Sequence, residues 1–418
     1  ALTRGGAVAF DFAAQFADVG AQGGFDVVIG NPPWVRLHRI PPQERANLRT
    51  RFLTFRDAGW RAGAEAAGAG SGFAAQVDLA ALFVERSLSL VRPDGIVSLL
   101  VPAKLWRSLA GGGVRQLLAQ SARVLEVEDW SEARATFDAA VYPSLIVASR
   151  GTAPPDAEVR VAEHHRDRTL RWSVGRSALP FDDTPGAPWL WLPSDPREGF
   201  ERVRALGAPL AQHAHLRPRL GVKCGCNEAF VVRAHDNGSI EARDGCRGTI
   251  ERQLLRPLLR GEGVTPWSIA ATEEQIIFPH DASLRAYREL PPLARKWLQR
   301  WRVRLNARSD QKGQLPWWSL FRVDAADDRR PRVVWADLAR SPRAAVINAG
   351  DRVVPLNSCY IAFAQTLDEA HALAVWLNSP LAAAWLAALA EPARGGFRRM
   401  LGWTVGLLPI PRDWERAV

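Results

Sequence analysis

The sequence predicts an α/β fold. A doubly wound parallel sheet over residues 1–150 is followed by a connector at 151–200 and a mixed α+β domain over 201–418. Three observations carry this expectation. Between Gly24 and Arg150, apolar runs short enough for buried strands alternate with longer amphipathic stretches. Residues 151–200 are rich in Pro, Arg and Asp. Beyond about Glu201, short apolar runs are broken by Gly, Pro and Trp.

Taken in order, Phe25 to Ile29 is a β-branched run that stops at Gly30, and it reads as a buried central strand. Few residues precede it to supply neighbouring strands, so half of the sheet is expected to lie outside residues 1–24. The isolated chain would then expose an apolar sheet edge and aggregate or need a partner. Asp78 to Val91 carries Leu79, Leu82, Phe83 and Leu88 at helical spacing, and Pro93-Asp94-Gly95 is expected to close that helix. Ile96 to Val101, Arg123 to Val127 and Val141 to Ala148 read as further strands, with a short helix at Val114 to Ala119. Strands separated by helices imply parallel pairing, with ligands at the C-terminal ends of the strands. In the second half, Ala229 to Arg233, Glu274 to Pro279 and Arg332 to Trp335 are the clearest apolar runs, and an Ala/Leu/Trp helix pair spans Leu367 to Ala390.

Composition narrows the function. With 47% apolar and 23% charged residues, the chain is neither disordered, collagen-like nor a coiled coil. Its most apolar window, His371 to Ala390, is interrupted by Asn378 and Pro380, which argues against an integral membrane protein. Four cysteines cannot make a disulfide framework, so the expected compartment is the cytoplasm. The chain opens on Ala1 and its one methionine is Met400, so an upstream segment is expected. Net charge is +10, and only Lys104, Lys223, Lys296 and Lys312 among 54 basic residues are lysine. Residues 1–150 hold 16 basic and 14 acidic residues; the remainder holds 38 and 30. An arginine surplus in the second half suits a surface facing a polyanion, because guanidinium pairs bidentately with phosphate and guanine. A solvated charged surface explains the charge alone equally well.

The most specific signal is Asn31-Pro32-Pro33-Trp34, directly after an apolar strand. An exocyclic amino group on a nucleobase is a poor nucleophile, because its lone pair is delocalised into the ring. Alkylating it requires acceptors for both amino hydrogens. The Asn31 side-chain oxygen and the Pro32 carbonyl supply two, the prolines fix the loop, and Trp34 offers a face on which an extruded base stacks. The blander reading, a rigid turn with a half-buried tryptophan, weakens once the preceding strand is counted.

Phe25 to Trp34 resembles motif IV of the γ-class amino-type DNA methyltransferases that make N6-methyladenine, and Asp78 to Pro102 resembles the helix and strand that follow it. The resemblance implies a Rossmann-like methyltransferase sheet, catalysis by Asn31, Pro32, Pro33 and Trp34, and S-adenosylmethionine as methyl donor held with Asp26, Pro33 and Phe83. Taken alone, Phe83 reads equally well as a core aromatic. Gly221 to Phe230, Leu255 to Gly261, Ile276 to Pro279 and Leu377 to Ser379 are similar to target recognition domains of type IIG restriction-modification enzymes and of BREX and DISARM phage-defence methyltransferases. That likeness implies double-stranded DNA as partner, with Lys223, Asn227 and Arg260 as contacts. Arg394, Arg398 and Arg399 around Gly395-Gly396 form a basic loop that suits phosphates, though a solvated loop explains it equally well. No metal is implied.

Two departures stand out. The family's glycine-rich cofactor loop is absent from residues 1–24, so the chain is expected to be a fragment, one part of a split enzyme or a degenerate copy, with a missing N-terminal region or a partner subunit completing the cofactor site. No nuclease signature is visible. A competing function is therefore a DNA-binding specificity module without activity that acts with a partner subunit. Cys224, Cys226 and Cys246 read as small apolar residues rather than zinc ligands. Trp301, Trp317, Trp318 and Trp335 read as core aromatics more readily than as base-stacking platforms.

Overall fold

The structure, a computed structural model, describes residues 12–35, 39–56, 59–66, 78–133, 142–235, 238–308, 310–311 and 315–417. The chain divides into two compact units, Ala1–Gly199 with Glu391–Gly396, and Phe200–Ala390 with Phe397–Val418.

The first unit is built on six strands: β1 (Phe25–Gly30), β2 (Val91–Pro102), β3 (Ala122–Glu132), β4 (Pro143–Arg150), β5 (Glu158–His165) and β6 (Thr169–Gly175). Their spatial order is β1-β2-β4-β3-β5-β6. Helices Ala80–Leu90 and Gly112–Ser121 connect β1 to β2 and β2 to β3, as the periodicity predicts. The expectation of a wholly parallel sheet is corrected. β1 pairs parallel with β2 and β3 parallel with β5, but β4 lies antiparallel to both β2 and β3. The ten-residue connection 133–142 is short for a crossover, so β4 returns beside its predecessor in the reverse direction. Val141, the expected start of this strand, lies outside the described residues. Pro93-Asp94-Gly95 does not close the preceding helix either. That helix ends at Leu90, and the three residues fall within β2, where the pairing with β1 shifts register and Asp94 takes a φ of 62°.

The connector expected at 151–200 is also corrected, since it supplies β5 and β6 to the same sheet. The alternation Val159, Val161 and Trp172, Val174 was masked by the surrounding Arg, Asp and Pro. This segment is tied down by buried groups. Trp189 stacks on Trp106 at 4.8 Å and 4°, and its amide donates to the Trp106 carbonyl. The fully buried Arg115 donates to the carbonyls of Leu105 and Gly186, and burial pulls its pKa down to about 9.

The second unit contains two principal sheets. One runs Arg247–Thr249, Ser239–Ala242, Val231–Ala234, Glu274–Ile277, Leu255–Leu259, Val354–Pro355; the other runs Ala344–Ile347, Arg332–Ala336, Cys359–Phe363, Arg219–Leu220. Trp301 and Trp335 are buried, and Trp317 and Trp318 pack half-buried against the core, in keeping with the core reading. Helices Leu367–Leu377 and Pro380–Leu389 are bent by 61°, and no single helix among the described residues is long and apolar enough to cross a membrane.

His280 sits in this core, packed on Phe278 at 5.0 Å, with no partner for Nδ1 among the described residues. Burial lowers its pKa to about 4 against the opposing pull of Asp281. The unfolded chain therefore takes up a proton near pH 6.5 that the folded chain refuses. Stability is expected to fall by up to about 3 kcal/mol as pH drops from about 6.5 to about 4. Thermal unfolding of wild type and His280→Leu across that window checks this: the variant should lose part of the pH slope, and identical slopes would remove His280 as the cause.

Candidate active site

Among the described residues β1 is an edge strand, and its ladder to β2 ends at the pair Gly30 and Leu99. The next carbonyl on β2, that of Leu100, accepts the indole N–H of Trp34 at 3.3 Å, so the tryptophan is fixed where the ladder stops. Pro32 is buried, whereas Asn31 and Pro33 are exposed and Trp34 is half-buried. The Asn31 carboxamide has no hydrogen-bond partner among the described residues, so its oxygen is free to accept. The loop is anchored at its far side too, because the amide of Leu79 donates to the Val35 carbonyl at 3.0 Å.

That anchor sits beside an ion pair the sequence reading missed. Asp78, 2% exposed, accepts the Ala80 amide at 3.2 Å with one oxygen and the Lys104 ammonium at 3.1 Å with the other. Asp78 begins the turn leading into the helix Ala80–Leu90, and Lys104 follows the C-terminal end of β2. The pair thus clamps the start of the helix to the end of β2, the strand whose Leu100 carbonyl holds the Trp34 ring. One signal was available: Lys104 is one of four lysines in a chain that otherwise uses arginine.

Phe83, on the first turn of the same helix, is 39% exposed, and along β1 Ile29 is 78% and Val27 49% exposed. The Leu79–Val35 hydrogen bond ties the start of the helix that carries Phe83 to the loop that carries Pro33. Asp26 does not join them: it stands at the opposite end of β1 and pairs with Arg92 at 2.6 Å. Four residues of strand, about 13 Å, separate it from Gly30, so its expected part in cofactor binding is not supported.

Most of the expected DNA contacts are engaged within the chain. Lys223 is paired with Asp310, and Asn227 accepts the Cys224 thiol at 2.9 Å. Arg260 is held by Glu274 at 2.6 Å, which raises its pKa and lowers that of the carboxyl. These three are engaged in intramolecular structure. Arg398 is half-buried, and the exposed Arg399 pairs with Asp337 at 3.2 Å. The side chain of Arg394 lies outside the described residues. Cys226 gives its thiol hydrogen to Glu228, in line with a structural part for the cysteines.

Residues 3–137 match the Eco57I restriction-modification methylase family. The chain is 25% identical over 407 residues to the type II methyltransferase M.PaeR7I of Pseudomonas aeruginosa, covering 94% of this chain and 65% of that protein. It is 22% identical to the type II methyltransferase M.XhoI of Xanthomonas vasicola, covering 94% of this chain and 69% of the relative. This chain therefore spans about two thirds of the length of these relatives. Among solved structures, the type IIL restriction-modification enzyme MmeI in complex with DNA superposes with a TM-score of 0.56 at 13% identity, covering 89% of this chain and 44% of that one. That likeness concerns the fold: a Rossmann-like methyltransferase sheet followed by a further mixed domain, the class the sequence predicts.

Proposed function

We propose that this chain carries the catalytic loop and the target recognition domain of a site-specific, S-adenosylmethionine-dependent DNA adenine-N6 methyltransferase of a restriction-modification system. The observation that carries this reading is the Asn31 to Trp34 loop at the C-terminal end of β1, with a free Asn31 carboxamide and a pinned Trp34 ring.

Asn31 Oδ1 and the Pro32 carbonyl accept the two N6 hydrogens of an adenine turned out of the duplex. Holding both hydrogens draws the lone pair of N6 out of the ring, and the indole of Trp34 keeps the base from rotating. S-adenosylmethionine supplies a methyl group on a positively charged sulfur, open to in-line displacement. The half-exposed ring of Phe83 and the exposed Pro33 suit the flat, apolar face of its adenine, and Asp26 is paired with Arg92 at the other end of β1. Neither a covalent enzyme intermediate nor a metal enters the scheme.

The test is transfer of tritiated methyl groups from S-adenosylmethionine to duplex DNA, followed by nucleoside digestion. Label in N6-methyladenine is expected; label in a cytosine, or in protein only, would overturn the assignment.

The edge position of β1 among the described residues favours a second reading, a specificity module that binds DNA while the methyl donor is held elsewhere. Calorimetry with S-adenosylmethionine separates the two. Saturable one-to-one binding supports the first, and no binding by a folded, DNA-competent chain supports the second.

A further inference from the structure

We propose that Trp267 is a DNA wedge, an aromatic side chain that enters a groove of the duplex and packs against a base step while neighbouring arginines hold phosphates. The proposal rests on the reading of the second unit as a DNA-binding domain and adds a contact outside the residues expected from the sequence.

Trp267 lies at the tip of a two-stranded hairpin, Val264–Thr265 and Ser268–Ile269, with Thr265 paired to Ser268. Pro266 and Trp267 are thus the two central residues of the turn. Trp267 has a φ of +73°, the left-handed conformation that a type II turn reserves for glycine or asparagine. A bulky aromatic residue is costly there, and burial offers no compensation, because Trp267 is 60% exposed. Strain with no return in packing points to a use outside the fold.

The backbone beneath the ring is held firmly. The Trp267 amide donates to the Ala344 carbonyl at 2.9 Å, and the Asn378 carboxamide bonds both the amide and the carbonyl of Ala344, at 2.8 and 2.9 Å. Thr265 Oγ1 closes the turn on the Ser268 carbonyl at 3.0 Å. The ring is therefore presented on a fixed stem, which lowers the entropy lost when it docks.

Its surroundings suit a polyanion. Ala344 follows the connection 337–343, which pairs through Leu338 and Ala339 with the strand Phe397–Arg399. That connection carries the exposed Arg340, whose guanidinium lies over Phe397 at 5.3 Å, and the half-buried Arg343, whose Nε is itself buried. Arg399 is exposed on the neighbouring strand and is paired with Asp337 at 3.2 Å. A protein partner would call for a broad apolar patch, but Leu338 is the other large exposed apolar side chain on these segments. An exposed aromatic ring on a hairpin tip, with the exposed Arg340 on the connection that holds it, matches duplex DNA, where apolar wedges unstack base steps and cations take the phosphates.

The experiment measures binding of a fluorescein-labelled duplex to the full chain by anisotropy over a range of salt, together with thermal unfolding. Trp267→Gly removes the ring and relieves the backbone, so it should raise or preserve Tm while weakening DNA binding by about tenfold, the loss of one aromatic stack. Trp267→Phe should fall between. Arg340→Gln should weaken binding and reduce the slope of log K against log salt by about one. Wild-type affinity in a stably folded Trp267→Gly chain would overturn the wedge. Absence of DNA binding by the wild type would overturn it along with the recognition assignment. A wild type that binds DNA but transfers no methyl group, and loses binding in Trp267→Gly, would sink the catalytic reading and leave the wedge standing.

Discussion

Replacing Asn31 by Ala is expected to lower the single-turnover rate of methyl transfer in the complete protein by about 10²–10³-fold or more, the effect of removing one preorganised polar group from a developing charge. Affinity for duplex DNA should change by less than about twofold. The asymmetry follows from placement. Asn31 is exposed at the end of β1 and supports nothing else, so its loss leaves Trp34 pinned to Leu100 and the loop anchored through Val35. Its oxygen matters once N6 begins to acquire positive charge, when its hydrogens become stronger donors. The loss should therefore appear in the chemical step and not in binding. Asn31→Asp keeps an acceptor at the same position and is expected to retain more activity than Asn31→Ala. Single-turnover kinetics with tritiated donor and anisotropy with labelled DNA are the measurements. Full activity in Asn31→Ala would remove this residue from the mechanism and return the tetrapeptide to the status of a rigid turn.

Much of the active-site end was legible in the sequence because its determinants are local. A β-branched run stopping at glycine, a proline-stiffened loop, and apolar residues at helical spacing each follow from neighbours a few positions away. β1, the helix Ala80–Leu90 and β3 lie where these patterns place them, and β2 contains the expected strand but begins five residues earlier, at Val91. What was not legible depends on partners far along the chain. The reversed direction of β4 depends on how a ten-residue connection resolves, which composition does not encode. The strands β5 and β6 were read as a connector because Arg, Asp and Pro dominate the stretch, although its alternate residues are apolar and buried against the sheet. Asp26 illustrates a directional error: five residues from Asn31 in sequence is the opposite end of a strand in space, and an ion pair with Arg92 already occupies it. The second unit hid its surface in a similar way, since Lys223, Asn227 and Arg260 read as free polar residues until Asp310, Cys224 and Glu274 are seen beside them.

Asp78→Ala is expected to damage both stability and catalysis, through a contact spanning 26 residues that no local pattern announces. The carboxylate is almost fully buried, and it caps the entry to the helix Ala80–Leu90 while holding Lys104. Breaking a buried pair costs about 3–5 kcal/mol when the orphaned partner stays dry. Here Lys104 is about one third exposed and regains water, so about 2–3 kcal/mol is expected once the lost cap is included. The kinetic consequence follows from geometry. With the clamp gone, Leu79 no longer fixes the Val35 carbonyl in one place, and a loop displaced by about 1 Å loses on the order of 10²-fold in rate. Asp78→Asn keeps the cap and drops the charge, so it should retain most of the stability and an intermediate rate. The double substitution Asp78→Leu with Lys104→Leu leaves no buried charge unpaired and should recover stability relative to Asp78→Ala, without recovering the rate if the pair itself aims the loop. Thermal unfolding and single-turnover transfer on the four proteins measure the two effects separately. A rate that tracks stability in every variant would make the pair purely structural, whereas a stable double variant that remains slow would assign Asp78 and Lys104 to the positioning of the Asn31 loop.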